Sequence, residues 1–454
     1  MDIGQVKEVY FVGIGGIGMS ALARYFKQRG LAVSGYDKTA TELTRKLEEE
    51  GIAIHYQPES ESLPQGEQVL FVYTPAVPQE FPELAQLRER GTPVYKRAEV
   101  LGLISRSGRT IGIAGTHGKT TTTTLTTQLL SVAGLQPSAF LGGIANNFSG
   151  NYVHGDGPHV VVEADEYDRS FLQLTPEIAV ILSMDPDHLD IYGDHSEMLN
   201  SGFLAFARQV KEEGLLLVRY DLIDQIGPTP ARKLTFGLGA GDYNAHQLRV
   251  LEGTFQFDLR TPAGHIVPDL RLPLPGRHNV ENATAAAAIA LELGANEDLI
   301  RRGLAEFSGI ARRFDIRLQT ASTVVVDDYA HHPTELTATI AAAREFYPGR
   351  TIRGVFQPHL FSRTRDFADG FAQALDELDE IILLPIYPAR EEPIAGVDSR
   401  LIFNKLTNKK KRLLGKDDLM RHLAELREGV LLLMGAGDID TLVNPIVHQL
   451  ETLD

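Results

Sequence analysis

Short apolar runs alternate with longer amphipathic stretches along most of this chain, and glycine-rich or polar turns separate them. The run Val9–Val12 leads through a glycine turn into a helical stretch, Met19–Gln28, and a second run, Ala32–Tyr36, stops at Asp37. The alternation continues through a strand at Val69–Tyr73 and a helix at Glu80–Arg90, which is the pattern of a parallel α/β unit. The polar stretch Ser105-Arg106-Ser107-Gly108-Arg109 predicts a linker. A second region opens with the strand Thr110–Ala114 and the helical run Leu125–Ala133, then adds strands at Val160–Val162 and Ala179–Leu182. Within it the alternating stretch Thr254–Leu259 predicts hairpin material, so its sheet is expected to be mixed, and an alanine-rich helix, Ala283–Leu293, closes it. A third region starts near Ile316, where the strand Thr323–Val326 runs into Asp327-Asp328 and a helix follows at Thr334–Phe346. Strands at Arg353–Phe356, Glu380–Leu384 and Val430–Met434 again argue for a parallel sheet with helices on both faces.

Length and composition agree with several ordered domains. A chain of 454 residues suggests about three of them, and 43% hydrophobic residues suffice for several cores. No window approaches the roughly 18 consecutive apolar residues that a membrane span needs, and the first residues read as a strand, not a secretion signal. The absence of cysteine excludes thiol nucleophiles and thiolate–metal sites and fits a reducing cytoplasm. With 44 Lys plus Arg against 60 Asp plus Glu, the net charge of −16 disfavours nucleic-acid binding. The one basic run, Lys409-Lys410-Lys411-Arg412, is expected to be a solvated loop or helix face. Any phosphorylated ligand must then be held locally, by glycine turns, helix N-termini and a few placed cations.

One turn has that character. Gly115-Thr116-His117-Gly118-Lys119-Thr120 lies between an apolar strand and a helical run. Glycines there let several backbone N–H groups face one phosphate, Lys119 can reach the β and γ phosphates, and the Thr120 hydroxyl suits a magnesium ligand. The match to the general P-loop pattern is imperfect, because Ile113 stands where its first glycine belongs.

Acidic words follow the next two strands. Glu163-Ala-Asp165-Glu166-Tyr-Asp168 puts four carboxylates within six residues, which is costly without a cation, and Glu163 is the leading candidate to hold Mg²⁺ beside the loop. In Asp185-Pro-Asp187-His188-Leu-Asp190, His188 suits a second metal position or a charge partner for a transferring phosphoryl group. At the amino terminus, Gly13-Ile-Gly15-Gly16-Ile-Gly18 with Asp37 spells a dinucleotide fingerprint that alone would predict NAD. Glycine turns attract any pyrophosphate, however, and a dehydrogenase leaves the second glycine loop unexplained.

Taken in order, GTHGKTTT, EADEYDRSF, DPDHLD, GRHNVENATAA, RRFD and DDYAHHPTE resemble the Mur ligases, which build the peptide of bacterial peptidoglycan on a UDP-linked sugar. GIGGIGMSALA, EADEYDRSFL and DDYAHHPTE are most similar to the alanine-adding branch, and the nearest alternative is the branch that recycles murein tripeptide onto UDP-N-acetylmuramate. Some later-acting members use a carbamylated lysine downstream of the HLD word. Met198–Val210 holds no lysine, as in the alanine-adding branch.

The resemblance implies an α/β chain of three domains: residues 1–107 Rossmann-like, 108–313 a P-loop-ATPase-like mixed α/β domain, and 314–454 Rossmann-like. It implies that ATP and Mg²⁺ convert the lactyl carboxylate of UDP-N-acetylmuramate to an acyl phosphate, which the amine of L-alanine attacks. Gly13, Gly15, Gly16, Gly18, Asp37, Thr74 and Pro75 would then hold the UDP-sugar. Gly115, Thr116, His117, Gly118, Lys119, Thr120, Thr121, His278, Asn279, Asn282, Arg313, Asp327 and Asp328 would hold ATP, and Thr120, Glu163 and His188 the metal. Lys119, His188, Arg313, His331 and Arg363 are the implied catalytic residues, with closure of the third region about a hinge near Gly309–Arg312. The enzyme would be cytoplasmic, a monomer or homodimer, with no nucleic-acid or membrane partner.

Overall fold

The computed structural model describes residues 3–451 apart from 60, 62, 67, 186–196, 252, 390 and 425–427, and only the backbone of residue 168. His188 therefore lies outside the described residues.

Three sheets organise the chain. The first contains β1 (Glu8–Val12), β2 (Ala32–Tyr36), β3 (Ala53–His55), β4 (Val69–Tyr73) and β5 (Val94–Lys96), in the order β3-β2-β1-β4-β5. All its pairings are parallel. From β1 the chain moves outward to β2 and β3, then returns to the other side for β4 and β5. That reversal opens a crevice beyond the carboxyl ends of β1 and β4, where parallel sheets bind ligands.

The second sheet contains β6 (Arg109–Ala114), β7 (Ser138–Ala145), β8 (Gly150–Val153), β9 (His159–Ala164), β10 (Ile178–Ile181), β11 (Leu215–Arg219), β12 (Arg232–Leu238), β13 (Tyr243–Leu251), β14 (Thr254–Arg260) and β15 (Ile266–Leu272). Its order is β15-β14-β13-β12-β11-β10-β6-β9-β7-β8. β6 pairs in parallel with both β9 and β10, whereas β7 and β8 are antiparallel, so the sheet is mixed as expected. The third sheet contains β16 (Asp315–Gln319), β17 (Thr323–Asp328), β18 (Ile352–Phe356), β19 (Glu380–Leu383), β20 (Lys411–Leu413) and β21 (Gly429–Met434), in the order β16-β17-β21-β18-β19-β20. Only β16 runs antiparallel to its neighbour.

The chain divides into two compact units. One comprises Met1–Gln247, Phe257–Arg271 and Val280–Phe307, and the other Leu248–Gln256, Leu272–Asn279 and Ser308–Asp454. Inside the first unit, the first two sheets share one continuous apolar core that runs from Val6 through Phe140 and Phe206 to Ala231. The seam between them is specific. Tyr25, on the helix Ile17–Gln28, packs 5.5 Å from Phe140 and edge-on at 6.0 Å to Tyr152, ring centroid to ring centroid. Beside it, buried Arg24 donates through Nε to both oxygens of Glu50, each at 2.9 Å, and through a second nitrogen to the side-chain oxygen of Asn151. Asn151 in turn donates to the Ser20 hydroxyl at 2.9 Å. A guanidinium this buried is tolerated because each of its faces meets an acceptor.

Three local expectations are corrected. The stretch 105–109 is not a linker: the helix Arg97–Arg106 fills its first half, β6 begins at Arg109, and only Ser107 and Gly108 lie between. Its polar letters mislead because buried Ser105 accepts the Thr175 N–H and, through its carbonyl, the Thr110 hydroxyl. The helix after the loop Gly115–Gly118 starts at Lys119, not Leu125. Its β-branched threonines read as non-helical, yet Thr124 and Thr127 return their hydroxyls to the carbonyls of Thr120 and Thr123 one turn back. The basic run ends in the edge strand β20, where Lys411 caps the carbonyls of Phe403 and Leu406; lysine at a sheet edge also discourages pairing with other chains. Among the described residues no helix is long and apolar enough to cross a membrane.

Candidate active site

Two glycine turns stand at carboxyl edges of sheets in the first unit. In the first, after β1, Gly13 takes φ +88, and a Cβ there would lie 2.6 Å from Thr74 Cγ2. A Cβ on Gly15 would meet Thr44 at 2.7 Å and Asp37 Oδ2 at 2.8 Å. Asp37, at the end of β2, fixes the turn by accepting the Gly15 N–H at 2.7 Å and the Thr39 N–H at 3.2 Å. Thr44 is itself placed by a reciprocal cap with Thr41 at the start of the helix Glu42–Glu49. Thr74 opens the turn after β4, with Pro75 exposed next to it. Gly16 differs: its φ is −66 and nothing lies closer than 3.7 Å to a built Cβ. Gly18 leaves room for Arg97, whose Cδ and Nη1 come within 2.9 Å of where its Cβ would be. Gly13, Gly15, Gly16, Gly18, Asp37, Thr74 and Pro75 are thus brought to one edge.

The second turn, after β6, is built by Gly115 and Gly118, at φ +148 and +83. A Cβ on Gly115 would press on Leu182 at 2.9 Å, and one on Gly118 on the Asn282 side chain at 2.7 Å. Ser183, just past β10, braces the loop: its hydroxyl accepts the His117 N–H at 2.9 Å and lies 2.9 Å from the Thr116 hydroxyl. His117 Nε2 is 3.9 Å from Asp185. Lys119 curls back to donate to the Gly115 carbonyl at 2.7 Å and to both oxygens of Glu166, at 2.7 and 3.0 Å. Its side chain is 16% exposed and that of Glu166 1%. Burial alone would lower the lysine, but Glu166, Asp165 and Glu163 together hold it above its usual value. Burial pushes the Glu163 and Glu166 carboxyls up, the charge of Lys119 opposes the rise, and that of Asp165 adds to it. Glu163 is steadied by the Gly142 N–H at 2.6 Å and by the Thr120 hydroxyl. Gly142 is required there, because its Cβ would fall 2.3 Å from the Glu163 carboxylate. Thr121 follows on the first turn of the helix.

His278, Asn279 and Asn282 lie in the first two turns of the helix Arg277–Glu292. Asn282 reaches the loop at Gly118. Asn279 donates to the Pro275 carbonyl at 2.6 Å, and His278 folds against Gly276.

In the second unit, Asp327 and Asp328 end β17 and differ sharply. Asp328 accepts the Phe314 and Ala330 N–H groups, at 2.7 and 2.8 Å, and the Thr339 hydroxyl at 3.2 Å. Asp327 is 2% exposed, and its Oδ1 has no hydrogen-bond partner among the described residues. Burial raises it to about 7 against the opposing charge of Arg312, 3.9 Å away. Arg312 is occupied elsewhere, by the Gly435 carbonyl at 2.7 Å and Asp440 at 3.1 Å. Arg313 is the exposed one, 5.4 Å from the Tyr329 ring. His331 Nδ1 lies 2.9 Å from the Tyr329 carbonyl and 3.2 Å from Glu335. Burial lowers it, Glu335 opposes, and the charges of Arg363 and Arg313 lower it further. Arg313, His331 and Arg363 therefore converge, joined by His359, 3.4 Å from Arg363 and stacked on Tyr387.

Sequence reasoning missed Glu166 as the lysine's partner, and it missed Ser183, Arg97 and His359. Ser183 follows a strand and Arg97 opens a helix, positions that carry chemistry but are marked by no local word.

Comparison with known proteins agrees across the chain. Residues 8–109 match the model described as the Mur ligase family catalytic domain, 113–290 the Mur ligase middle domain, and 312–437 the Mur ligase glutamate ligase domain. The chain is similar to the UDP-N-acetylmuramate–L-alanine ligase of Christiangramia forsetii, with 45% identity over 99% of both chains. It is 47% identical to that of Parabacteroides distasonis over 98% of both. The crystal structure of the UDP-N-acetylmuramate-alanine ligase from Thermotoga maritima matches with a TM-score of 0.84 at 29% identity, covering 98% of this chain and 100% of that one. A murein peptide ligase from Psychrobacter arcticus shares the fold, with a TM-score of 0.69 at 22% identity over 98% of each chain.

Proposed function

The chain belongs to the Mur ligase family, and from that premise we propose that it joins L-alanine to the carboxylate of UDP-N-acetylmuramate, at the expense of ATP, in cytoplasmic peptidoglycan synthesis. The observation that carries this reading is the pair of glycine turns, one without a lysine and one with Lys119 among three carboxylates. Two phosphorylated substrates need two such turns. Identity of 45% along the full length to alanine-adding ligases, with a TM-score of 0.84 to the structure of one against 0.69 to that of a murein peptide ligase, supports alanine over tripeptide.

A carboxylate is a poor electrophile. One of its oxygens attacks the γ-phosphorus, the bond to the β-phosphate oxygen breaks, and ADP leaves. The amine of alanine then attacks the acyl carbon, phosphate departs with the former carboxylate oxygen, and the nitrogen loses a proton as the amide forms. We assign the first turn and Asp37 to the UDP group, and the second loop with Asn282 to ATP. Lys119 and exposed Arg313 would stabilise charge on the transferred phosphoryl group. Thr120 and Glu163, which meet, offer oxygen donors that fit Mg²⁺, a cation that takes few protein ligands. Bound there, Mg²⁺ would neutralise phosphate oxygens; among the described residues no cluster of three or more acids or histidines forms a cage of protein ligands. Arg363 suits a two-pronged grip on a carboxylate, and His331, held neutral, suits acceptance of the amine's proton. Asp327, whose buried oxygen lacks a partner among the described residues, is better placed than Asp328 to take a ribose hydroxyl.

The test is phosphate release from ATP and Mg²⁺ with UDP-N-acetylmuramate, comparing L-alanine with murein tripeptide. Alanine-dependent release with the matching amide product is expected, and release with tripeptide alone would move the chain to the recycling branch.

A further inference from the structure

Arg97 occupies an electrostatically odd place. It is the first residue of the helix Arg97–Arg106, directly after β5, which sets it at the same carboxyl edge as the turn after β1. Its guanidinium lies over the first turn of the helix Ile17–Gln28, filling the space that Gly18 leaves by having no side chain. The first N–H groups of a helix have no partner within it, and their end carries partial positive charge. A cation belongs at the opposite end, and one here raises the positive potential of a site already built to attract an anion.

Little else holds it there. Among the described residues its ion pair is with Asp165, at 3.9 Å, longer than a hydrogen bond, and the arginine side chain is 27% exposed. Asp165 neighbours Glu166, which grips Lys119. The acidic word after β9 thus divides its charges: Glu163 serves Gly142 and Thr120, Glu166 the phosphate-loop lysine, and Asp165 this arginine.

Resting on the reading of the first turn as the UDP site, we propose that Arg97 is a further binding residue for the diphosphate of the sugar nucleotide, and that Asp165 holds it in waiting. On binding, the guanidinium exchanges one distant carboxylate for phosphate oxygens, to which it can donate two parallel N–H groups. The glycine turn, which brings no lysine of its own, thereby acquires a cation from the far edge of the sheet.

Titration calorimetry with UDP as probe, and ATP as control, tests this on the full chain. Arg97→Ala should weaken UDP by about tenfold or more and leave ATP affinity within about twofold. Arg97→Lys, which keeps charge and fills the same space, should recover part of the loss. Asp165→Asn should move the opposite way and tighten UDP, because the resting competitor is gone; a merely structural pair would weaken binding in both variants. Unchanged UDP affinity in Arg97→Ala, loss of UDP and ATP affinity together, or weaker UDP binding in Asp165→Asn would each overturn the assignment. Wild-type protein that binds ATP but no UDP would instead overturn the reading of the first turn, and this assignment with it.

Discussion

The two glycine turns of the first unit solve one problem with opposite economies of sequence. Both follow a buried parallel strand and open a helix, so both present backbone N–H groups to an anion. The second carries its cation within its own word: Lys119 stands next to Gly118, and the loop closes on the lysine through the Gly115 carbonyl. The first has no cation within its word. It is braced by a carboxylate, Asp37, and receives Arg97 from a helix that begins some eighty residues later. A site that takes a transferable phosphate needs a fixed charge at the reacting end, whereas a site that only grips a diphosphate can recruit its charge from a distance. The difference also bears on recognition, because the local words alone would name the first turn a nicotinamide site.

Removing the built-in charge should give the largest effect. Lys119→Ala is expected to abolish turnover, with a loss of more than about 100-fold in kcat, while circular dichroism remains folded. It also strands Glu166, so the variant should lose about 2 kcal/mol of stability, less than the 3–5 kcal/mol typical of breaking a fully buried pair because Lys119 is partly exposed. Adding Glu166→Gln should return most of that stability and none of the activity, as denaturant unfolding and phosphate release would show. Full turnover in Lys119→Ala would erase the contrast between the turns.

The glycines of the first turn sharpen the contrast at intermediate scale. Gly13→Ala forces φ +88 on a residue with a Cβ and drives it into Thr74, so it should cost about 1–3 kcal/mol of stability. Gly16→Ala meets no protein atom within 3.7 Å and should leave the melting temperature unchanged. If diphosphate approaches that backbone, Gly16→Ala raises KM for UDP-N-acetylmuramate with KM for ATP unaffected. An unaltered KM would show that the ligand lies elsewhere.

The smallest effect is alkaline. Acidic neighbours hold Lys119 above its unfolded value, so its contribution to stability is fully present below about pH 10.4 and is lost as pH rises through the folded value. Thermal melts above about pH 10.5 should fall less steeply in the Lys119→Ala, Glu166→Gln double variant than in wild type. The first turn has no lysine to lose, and equal slopes would remove Lys119 as the titrating group.

Much of the fold could be read from pattern: Val69–Tyr73, a continuous apolar run as buried parallel strands are, is a strand residue for residue, and so is Ala32–Tyr36 despite Ser34 and Gly35. Helix starts were harder. Lys119–Thr124 is helical although its threonines favour strands: the Thr124 hydroxyl bonds the Thr120 carbonyl, those of Thr122 and Thr123 have no partner among the described residues, and burial of the helix overrides the local bias. Site residues inside a glycine or acidic word were visible, and those that arrive from another strand end were not. Ser183 and Arg97 act across 66 and 79 positions of sequence, on His117 and Gly18 respectively, and no local spacing encodes such contacts. Arg312 and Arg313 are adjacent letters, and only burial distinguishes the occupied guanidinium from the exposed one.

The seam at Arg24 has a practical corollary for anyone dividing the chain. Residue 107 is where one sheet has ended and the next has not begun, the obvious place to cut. An amino-terminal fragment ending there would expose the Tyr25 ring that Phe140 and Tyr152 cover, and would leave the Arg24 guanidinium without its Asn151 acceptor. Such a piece would be sticky and short of a partner at the same spot. The first glycine turn is better regarded as one end of a larger inseparable block than as a portable cassette, and grafting it onto another ligase would require Asn151 and its aromatic neighbours to travel with it.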